Sequence, residues 1–300
     1  MNVTVFTNVF CDASILAMSK NYRSELIFLF GNPVDDNPTG AMMEAAFAAC
    51  NLNYRYITVK VTEEGFDAAM NGIKQMNIKG LNFTMPHKEK AVRYMDKLSP
   101  AAKIIGAINT CYYEDGKLVG DNTDGKGFIQ ALAEKGYSPN GKKIFILGSG
   151  GAAKAIATEC ALAGAQKITI ANRTVEKAQN LSHVISTQTK CKAEAVCFTP
   201  GLVIPEDTDI LINATSIGLA PASDKRPDID YDSIKKGMVV SDVVFCPADS
   251  LFLKAARERG AVCVNGLGML VCQGVLAFEL WTKIKAPQAV MAEILAREMN

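Results

Sequence analysis

The apolar run Ile144-Phe145-Ile146-Leu147 leads directly into Gly148-Ser149-Gly150-Gly151-Ala152-Ala153, and nothing else in the chain limits the fold as tightly. Four β-prone residues followed by a glycine cluster read as a buried strand turning sharply into a helix. Gly148 permits the tight turn, Gly150 lets backbone amides approach a pyrophosphate, and Ala153 allows the helix to pack close to the strand. The helix start adds free N–H groups and the positive end of the helix dipole, both suited to phosphate. Glycine turns are common, so the flanking elements matter. A second apolar run, Lys167 to Ala171, ends in Asn172-Arg173-Thr174. A site preferring the non-phosphorylated dinucleotide usually carries an acid at that strand end, to hold the ribose 2′-hydroxyl. This chain has none, and Arg173 suits a 2′-phosphate. NADP is therefore the expected cofactor, held by Gly148, Ser149, Gly150, Gly151, Ala152, Asn172, Arg173 and Thr174. Lys177 is placed to add a second positive charge, with a solvated helix lysine as the plain alternative.

Composition narrows the remaining classes. Three hundred residues, 49% of them hydrophobic, suffice for two domains or one large one. Lys+Arg number 32 against Asp+Glu 31, a net charge of +1, which gives no electrostatic reason to expect nucleic acid or an anionic membrane. Nine scattered cysteines without any Cys-x-x-Cys, and only two histidines, His87 and His183, argue against a disulfide framework or a zinc site. Reduced thiols in a cytoplasmic protein fit better. No signal-peptide pattern and no apolar run of about 18 residues is present, so neither export nor a membrane span is expected.

Strand-like runs at 25–30, 54–59, 79–83 and 107–113 alternate with helix-like stretches at 41–50, 65–76 and 88–97. That alternation predicts a mostly parallel α/β sheet. Residues 1–24 read as an additional strand and short helix. A second α/β unit begins near Asp124, with strands expected at 143–147, 167–171, 194–197, 209–213, 238–244 and 261–264. Gly164 and Gly260 stand where helix C-caps belong. After Gly268 the pattern is helical through Trp281, and a final helix is expected from Ala286 to Glu298. The predicted organisation is two-domain α/β. Residues 1–123 form a first domain on which helices of 267–300 pack back, and 124–266 form a dinucleotide-binding domain of Rossmann type.

Several further segments carry polar residues at fixed spacing. They are Gly80-Leu-Asn-Phe-Thr-Met-Pro-His-Lys88, Gly106-Ala-Ile-Asn-Thr110, Gly120-Asp-Asn-Thr-Asp-Gly125, Asn213-Ala-Thr-Ser216 and Gly266-Leu-Gly-Met-Leu-Val-Cys-Gln273. In this order, together with Asn172-Arg-Thr-Val-Glu-Lys-Ala178, they resemble the shikimate dehydrogenase family from about Leu26 to Trp281. The resemblance implies NADP-dependent interconversion of 3-dehydroshikimate and shikimate, in the pathway that makes aromatic amino acids. It also implies a cleft between a substrate domain and a Rossmann-type domain. By position, Lys88 matches the family's catalytic lysine and Asp124 its paired aspartate. Asn82, Thr84 and Asn109 match polar groups around the substrate ring, and Gln273 a glutamine that reaches the substrate. Thr215 and Gly266 match positions beside the cofactor. The expected partner is a small cyclic acid, with the chain working as a monomer or homodimer.

The chemistry of the pair can be argued without the resemblance. Hydride addition to a ketone builds negative charge on oxygen, so a positioned cation or acid lowers the barrier. A lysine is charged at ordinary neutral pH. Lys88 can donate a proton to the nascent alkoxide while Asp124 orients it, and the pair can take the hydroxyl proton in reverse. The plain alternative is an exposed helix-start lysine and a polar turn. Asn122 and Thr123 read equally well as turn residues, Asn82 and Asn109 as partners of buried backbone groups, and His87 as a partly exposed helix-start residue.

Departures from the family pattern concentrate at one end of the expected substrate site. The family usually reads Gly-x-Pro-Ile-x-His-Ser-x-Ser-Pro, and its two serine hydroxyls hold the substrate carboxylate. Here the segment is Gly31-Asn-Pro-Val-Asp-Asp-Asn-Pro-Thr-Gly40, with Asn37 and Thr39 in the serine positions. A usual tyrosine is replaced by Phe245. Asn37 and Thr39 still donate hydrogen bonds, but a lost bond to a charged group is worth roughly 1.5–3 kcal/mol, tenfold or more in preference. Quinate or a related cyclic polyol acid is thus an alternative substrate, and a non-catalytic NADP-binding regulator an alternative role. Retention of Lys88 and Asp124 argues against the regulator.

Overall fold

The computed structural model describes residues 22–299. The expected strand and helix within 1–24 fall almost wholly outside that range, and residues 22–24 are irregular. The chain runs β1 (Glu25–Gly31), α1 (Thr39–Ala49), β2 (Tyr54–Lys60), α2 (Phe66–Gln75), β3 (Gly80–Phe83), β4 (Lys97–Leu98), α3 (Pro100–Ile105), β5 (Thr110–Glu114), β6 (Lys117–Asp121) and α4 (Thr123–Glu134). It continues through β7 (Lys143–Leu147), α5 (Gly151–Leu162), β8 (Lys167–Asn172), α6 (Val175–Gln188), β9 (Lys192–Cys197), β10 (Leu202–Val203), β11 (Ile210–Asn213), β12 (Ile229–Asp230) and β13 (Val239–Asp242). It closes with α7 (Leu251–Glu258), β14 (Val262–Val264), α8 (Gly266–Thr282) and α9 (Gln288–Glu298).

Two six-stranded sheets organise these elements. The second has the order β14-β13-β11-β7-β8-β9, and every pairing in it is parallel. Its central strands β7, β8, β11 and β13 are buried on both faces, which is why they read as largely apolar runs rather than alternating ones, while edge strand β9 is exposed at several positions. The strand order reverses on either side of β7, so the glycine turn that follows β7 lies at the topological switch point where such sheets bind ligands. Gly148 there has φ +103°, a backbone that favours glycine. Gly164 and Gly260 take positive φ just past α5 and α7, as their cap positions require.

The first sheet has the order β2-β1-β3-β5-β6-β4. Its β2-β1-β3 part is parallel, while β3-β5 and β5-β6 are antiparallel, so the sheet is mixed. The β5–β6 hairpin turns on Asp115-Gly116, both with positive φ, an Asp-Gly signature of a two-residue hairpin. The expected helix over 88–97 is absent. Only Lys90–Tyr94 coils, as a short 3-10 turn. Met95 is already extended, and Asp96 is drawn onto β6 by a backbone bond to Leu118 O (2.8 Å) and a side-chain bond from Leu118 N (2.7 Å).

The helix α8 returns to the first sheet, burying Val271, Val275, Phe278 and Trp281 against Ile27, Leu29 and Phe47. Each such side chain contributes roughly 1.5–3 kcal/mol by leaving water. Trp281 Nε1 donates to Cys111 O at 3.1 Å, satisfying the one polar atom the ring carries into the core. The long helix α4 packs on both α8 and α5, and so links the two sheets.

Candidate active site

Lys88 follows the end of β3, and Asp124 sits in the first turn of α4. Their side chains meet, with Nζ to Oδ2 at 2.7 Å. Local sequence fixes both. The backbone of Lys88 is held by Ile108 N to Lys88 O at 2.9 Å. Asn122 is the N-cap of α4, and its Oδ1 accepts from Asp124 N at 3.2 Å. Its Nδ2 donates to Ala107 O at 3.2 Å. The turn-chemistry reading of Asn122 is thus what the structure shows. Thr123 is fully buried, and its N–H donates to Asn109 Oδ1 at 2.8 Å. That bond points Asn109 Nδ2 toward Asp124 Oδ1, 2.8 Å away.

The remaining polar groups close around this pair. Asn82 Nδ2 donates to Asn109 O (2.9 Å), Tyr56 Oη donates to Asn82 Oδ1 (2.7 Å), and Gln273 Nε2 donates to Leu270 O (3.0 Å). Thr39 N donates to Asn37 Oδ1 (3.0 Å). These residues and Thr84 line a pocket of about 110 Å³, walled by Leu29, Phe83 and Leu270. Seven candidates (Lys88, Asp124, Asn37, Thr39, Asn82, Thr84 and Asn109) come together there with Gln273 from α8. Tyr56 went unread. It lies on β2, whose exposed neighbours made it look like an ordinary inward-facing strand residue. Burial raises its phenol pKa.

Two residues fall elsewhere. Phe245 is half-buried and is not among the residues lining the pocket. His87, expected to be partly exposed, is fully buried. Its ring stacks on Phe66 with centroids 4.3 Å apart, and Nε2 donates to Val61 O at 2.7 Å. A carbonyl only accepts, so the proton is on Nε2 and the ring is occupied as a structural bridge rather than as a proton shuttle.

A larger cleft of about 620 Å³ opens beyond the glycine turn, lined by Ser149, Gly150, Gly151, Lys154, Asn172, Arg173, Thr174, Lys177 and, from the first sheet's side, Glu89, Ile104 and Ile105. The N-cap of α5, Gly150, offers no side-chain cap, so the helix's first N–H groups remain open to a ligand. A Cβ at Gly150 or Gly151 would meet nothing within 4 Å, leaving open space in front of those amides. Arg173 and Lys177 are exposed and, among the described residues, neither enters an ion pair. Glu89, the one acid on the lining, is paired with Lys154 at 3.2 Å. The cleft therefore fits a dinucleotide carrying an extra phosphate. Gly148, Ala152, Thr215 and Gly266 do not reach the lining. Thr215 instead holds the turn after β11, donating to Asn213 Oδ1 at 2.6 Å. A Cβ at Gly266 would lie 2.5 Å from Val243 O, so packing alone accounts for that glycine. Lys88 lines the pocket, and the next residue, Glu89, lines the cleft.

Three family models match in chain order. They describe a shikimate dehydrogenase substrate binding domain over residues 29–111, a shikimate/quinate 5-dehydrogenase over 131–221, and a shikimate 5′-dehydrogenase C-terminal domain over 266–295. This chain belongs to the shikimate dehydrogenase family. A shikimate dehydrogenase (NADP(+)) of Methanococcus maripaludis is 43% identical over 90% of this chain and 96% of its own. Among solved structures, the ligand-free 5-ketofructose reductase of a Gluconobacter species superposes with TM-score 0.88 at 43% identity, covering 92% of this chain and 99% of its own. A Listeria monocytogenes shikimate 5-dehydrogenase in complex with shikimate and NAD gives 0.87 at 36% identity, covering 92% and 97%. The curated relatives are NADP-dependent oxidoreductases by name, and the α/β fold of this chain matches the solved structures. Among the described residues, no helix is long and apolar enough to cross a membrane.

Proposed function

We propose that the protein is an NADP-dependent oxidoreductase that interconverts 3-dehydroshikimate and shikimate, with Lys88 and Asp124 as its catalytic pair. The observation that carries this reading is the pair at Lys88. A proton-donating ammonium held by a carboxylate lines a ring-sized polar pocket, and the residue after it lines a cleft suited to a phosphorylated dinucleotide. Residues 1–123 with the helices of 267–300 would supply the substrate part and 124–266 the cofactor part, in a cytoplasmic setting.

When bound, NADPH supplies the hydride, and the chain supplies the rest. The amides of the α5 N-terminus and the Arg173 guanidinium hold phosphates. Lys88 delivers the proton to the carbonyl oxygen and meanwhile stabilises the charge growing there. Asp124 fixes the ammonium, and Asn109 fixes Asp124 by the 2.8 Å bond to its other oxygen. Asn82, Tyr56 and Gln273 orient the ring, limiting the poses in which carbon can accept hydride. In the oxidative direction Lys88 receives the hydroxyl proton. Steady-state assay of the purified protein with shikimate and NADP+ tests the reading, and absence of turnover would refute it.

A further inference from the structure

The hydrogen-bond polarity of the small pocket can be read atom by atom, because backbone groups orient its amides. A backbone carbonyl only accepts, and a backbone N–H only donates. Asn82 Nδ2 faces Asn109 O, so Asn82 Oδ1 faces Tyr56, and the phenol's single proton is committed there. The Tyr56 oxygen is left with lone pairs alone to offer. Gln273 Nε2 faces Leu270 O, which turns Oε1 inward, toward a donor (Asn109 Nδ2) no nearer than 3.4 Å. Asn37 Oδ1 is taken by Thr39 N, leaving Nδ2 as its free donor beside the Thr39 hydroxyl. The lining therefore mixes acceptors with donors.

Its charge is also balanced. Lys88 is the one cation on the pocket lining, and Asp124 neutralises it. A carboxylate brings four lone-pair sites and no proton, so in this pocket it would confront the Tyr56 and Gln273 oxygens. A hydroxyl donates and accepts, and it satisfies either kind of neighbour.

We propose that this pocket takes an uncharged polyhydroxylated ketone, of ketose type, with an efficiency within tenfold of that for a ring carboxylate of similar size. The inference rests on the catalytic reading above and changes only what lies around the reacting carbonyl. The C=O π bond breaks, carbon gains the hydride supplied by the reduced dinucleotide, and oxygen gains the proton held by Lys88. The products are a neutral polyol and NADP+.

The full-length enzyme, assayed with NADPH by loss of reduced-nicotinamide absorbance, should reduce 5-ketofructose with kcat/KM at least a tenth of that for 3-dehydroshikimate. A value lower than that overturns the inference and leaves the shikimate reading intact. Reduction of the ketose without the ring acid supports the inference and removes shikimate as substrate. Reduction of neither sinks both. The double variant Asn37→Ser, Thr39→Ser offers a second readout, since two small hydroxyls there favour an anion. It should shift the ratio of the two efficiencies at least tenfold toward 3-dehydroshikimate, and an unchanged ratio would overturn the inference.

Discussion

Gly127 leaves little freedom where α4 meets the helix that carries Gln273. It lies on α4, one turn after Asp124, and faces Gln273 of α8. A Cβ built there would stand 2.6 Å from Gln273 N and 3.0 Å from its Cα. Those are backbone atoms, so no side chain can swing aside. Ordinary contact begins near 3.4 Å, so the two helices must open by about 0.4–0.8 Å. Overpacking of this kind costs roughly 1–3 kcal/mol, while Gly→Ala in a helix returns about 0.5–1 kcal/mol. Gly127→Ala should therefore destabilise by at most about 2.5 kcal/mol in urea unfolding. The larger effect is catalytic, because the displacement moves Gln273 away from Asn109 and the pocket. A misplacement approaching 1 Å can cost about 100-fold, so kcat/KM should fall roughly 10- to 100-fold. Gly72 on α2 is the control, since a Cβ added there would meet nothing within 4 Å. Gly72→Ala should stabilise slightly and leave turnover unchanged. If Gly127→Ala behaves like Gly72→Ala, the argument from close helix approach is wrong.

Three further outcomes are expected. Arg173→Ala should raise the KM for NADP+ roughly 10- to 150-fold, the equivalent of about 1.5–3 kcal/mol for a charged hydrogen bond, with little change for NAD+; equal loss for both would contradict the 2′-phosphate assignment. Tyr56→Phe leaves Asn82 Oδ1 without its donor and should lower kcat/KM about tenfold with the fold intact by circular dichroism; unchanged kinetics would remove Tyr56 from the site. Asp242 is buried beside Ser250 and Asn213, and that burial lifts its carboxyl to about 6. Because the folded value lies above the unfolded one, near 3.9, its contribution is fully present below about pH 4 and is lost as pH rises through about 6. Wild type should then lose up to about 2–3 kcal/mol relative to Asp242→Asn between pH 4 and 7.5. Parallel denaturation curves with a pH-independent gap would contradict this.

The centre of the second sheet was legible because parallel strands buried on both faces are apolar along their length, as 144–147 and 210–212 are, and because the turn at Gly148 marks the exit of β7. The first sheet was harder. The segment after Lys88 has helical spacing, yet pairing with β6 captures Asp96 and ends the coil after five residues, a non-local effect that periodicity cannot register. The Asp115-Gly116 hairpin, by contrast, was written plainly in the chain and went unread. In the site, Lys88, Asp124, Asn82 and Asn109 could be found because they stand in motifs. Tyr56 could not, since a tyrosine on a half-buried strand carries no local mark of what its hydroxyl meets 26 residues away. His87 misled for the opposite reason, because its neighbour's chemistry lent it an exposure that Phe66 removes by stacking over it.

The most direct test replaces the ammonium while keeping its stem. With Lys88→Met, kcat for shikimate oxidation should fall about 10²- to 10⁴-fold, the usual contribution of a positioned proton-transfer group, while NADP+ affinity by fluorescence titration stays within about threefold because Arg173 and the α5 amides are untouched. A kcat within fivefold of wild type would show that the 2.7 Å Lys88–Asp124 pair is not where the proton moves.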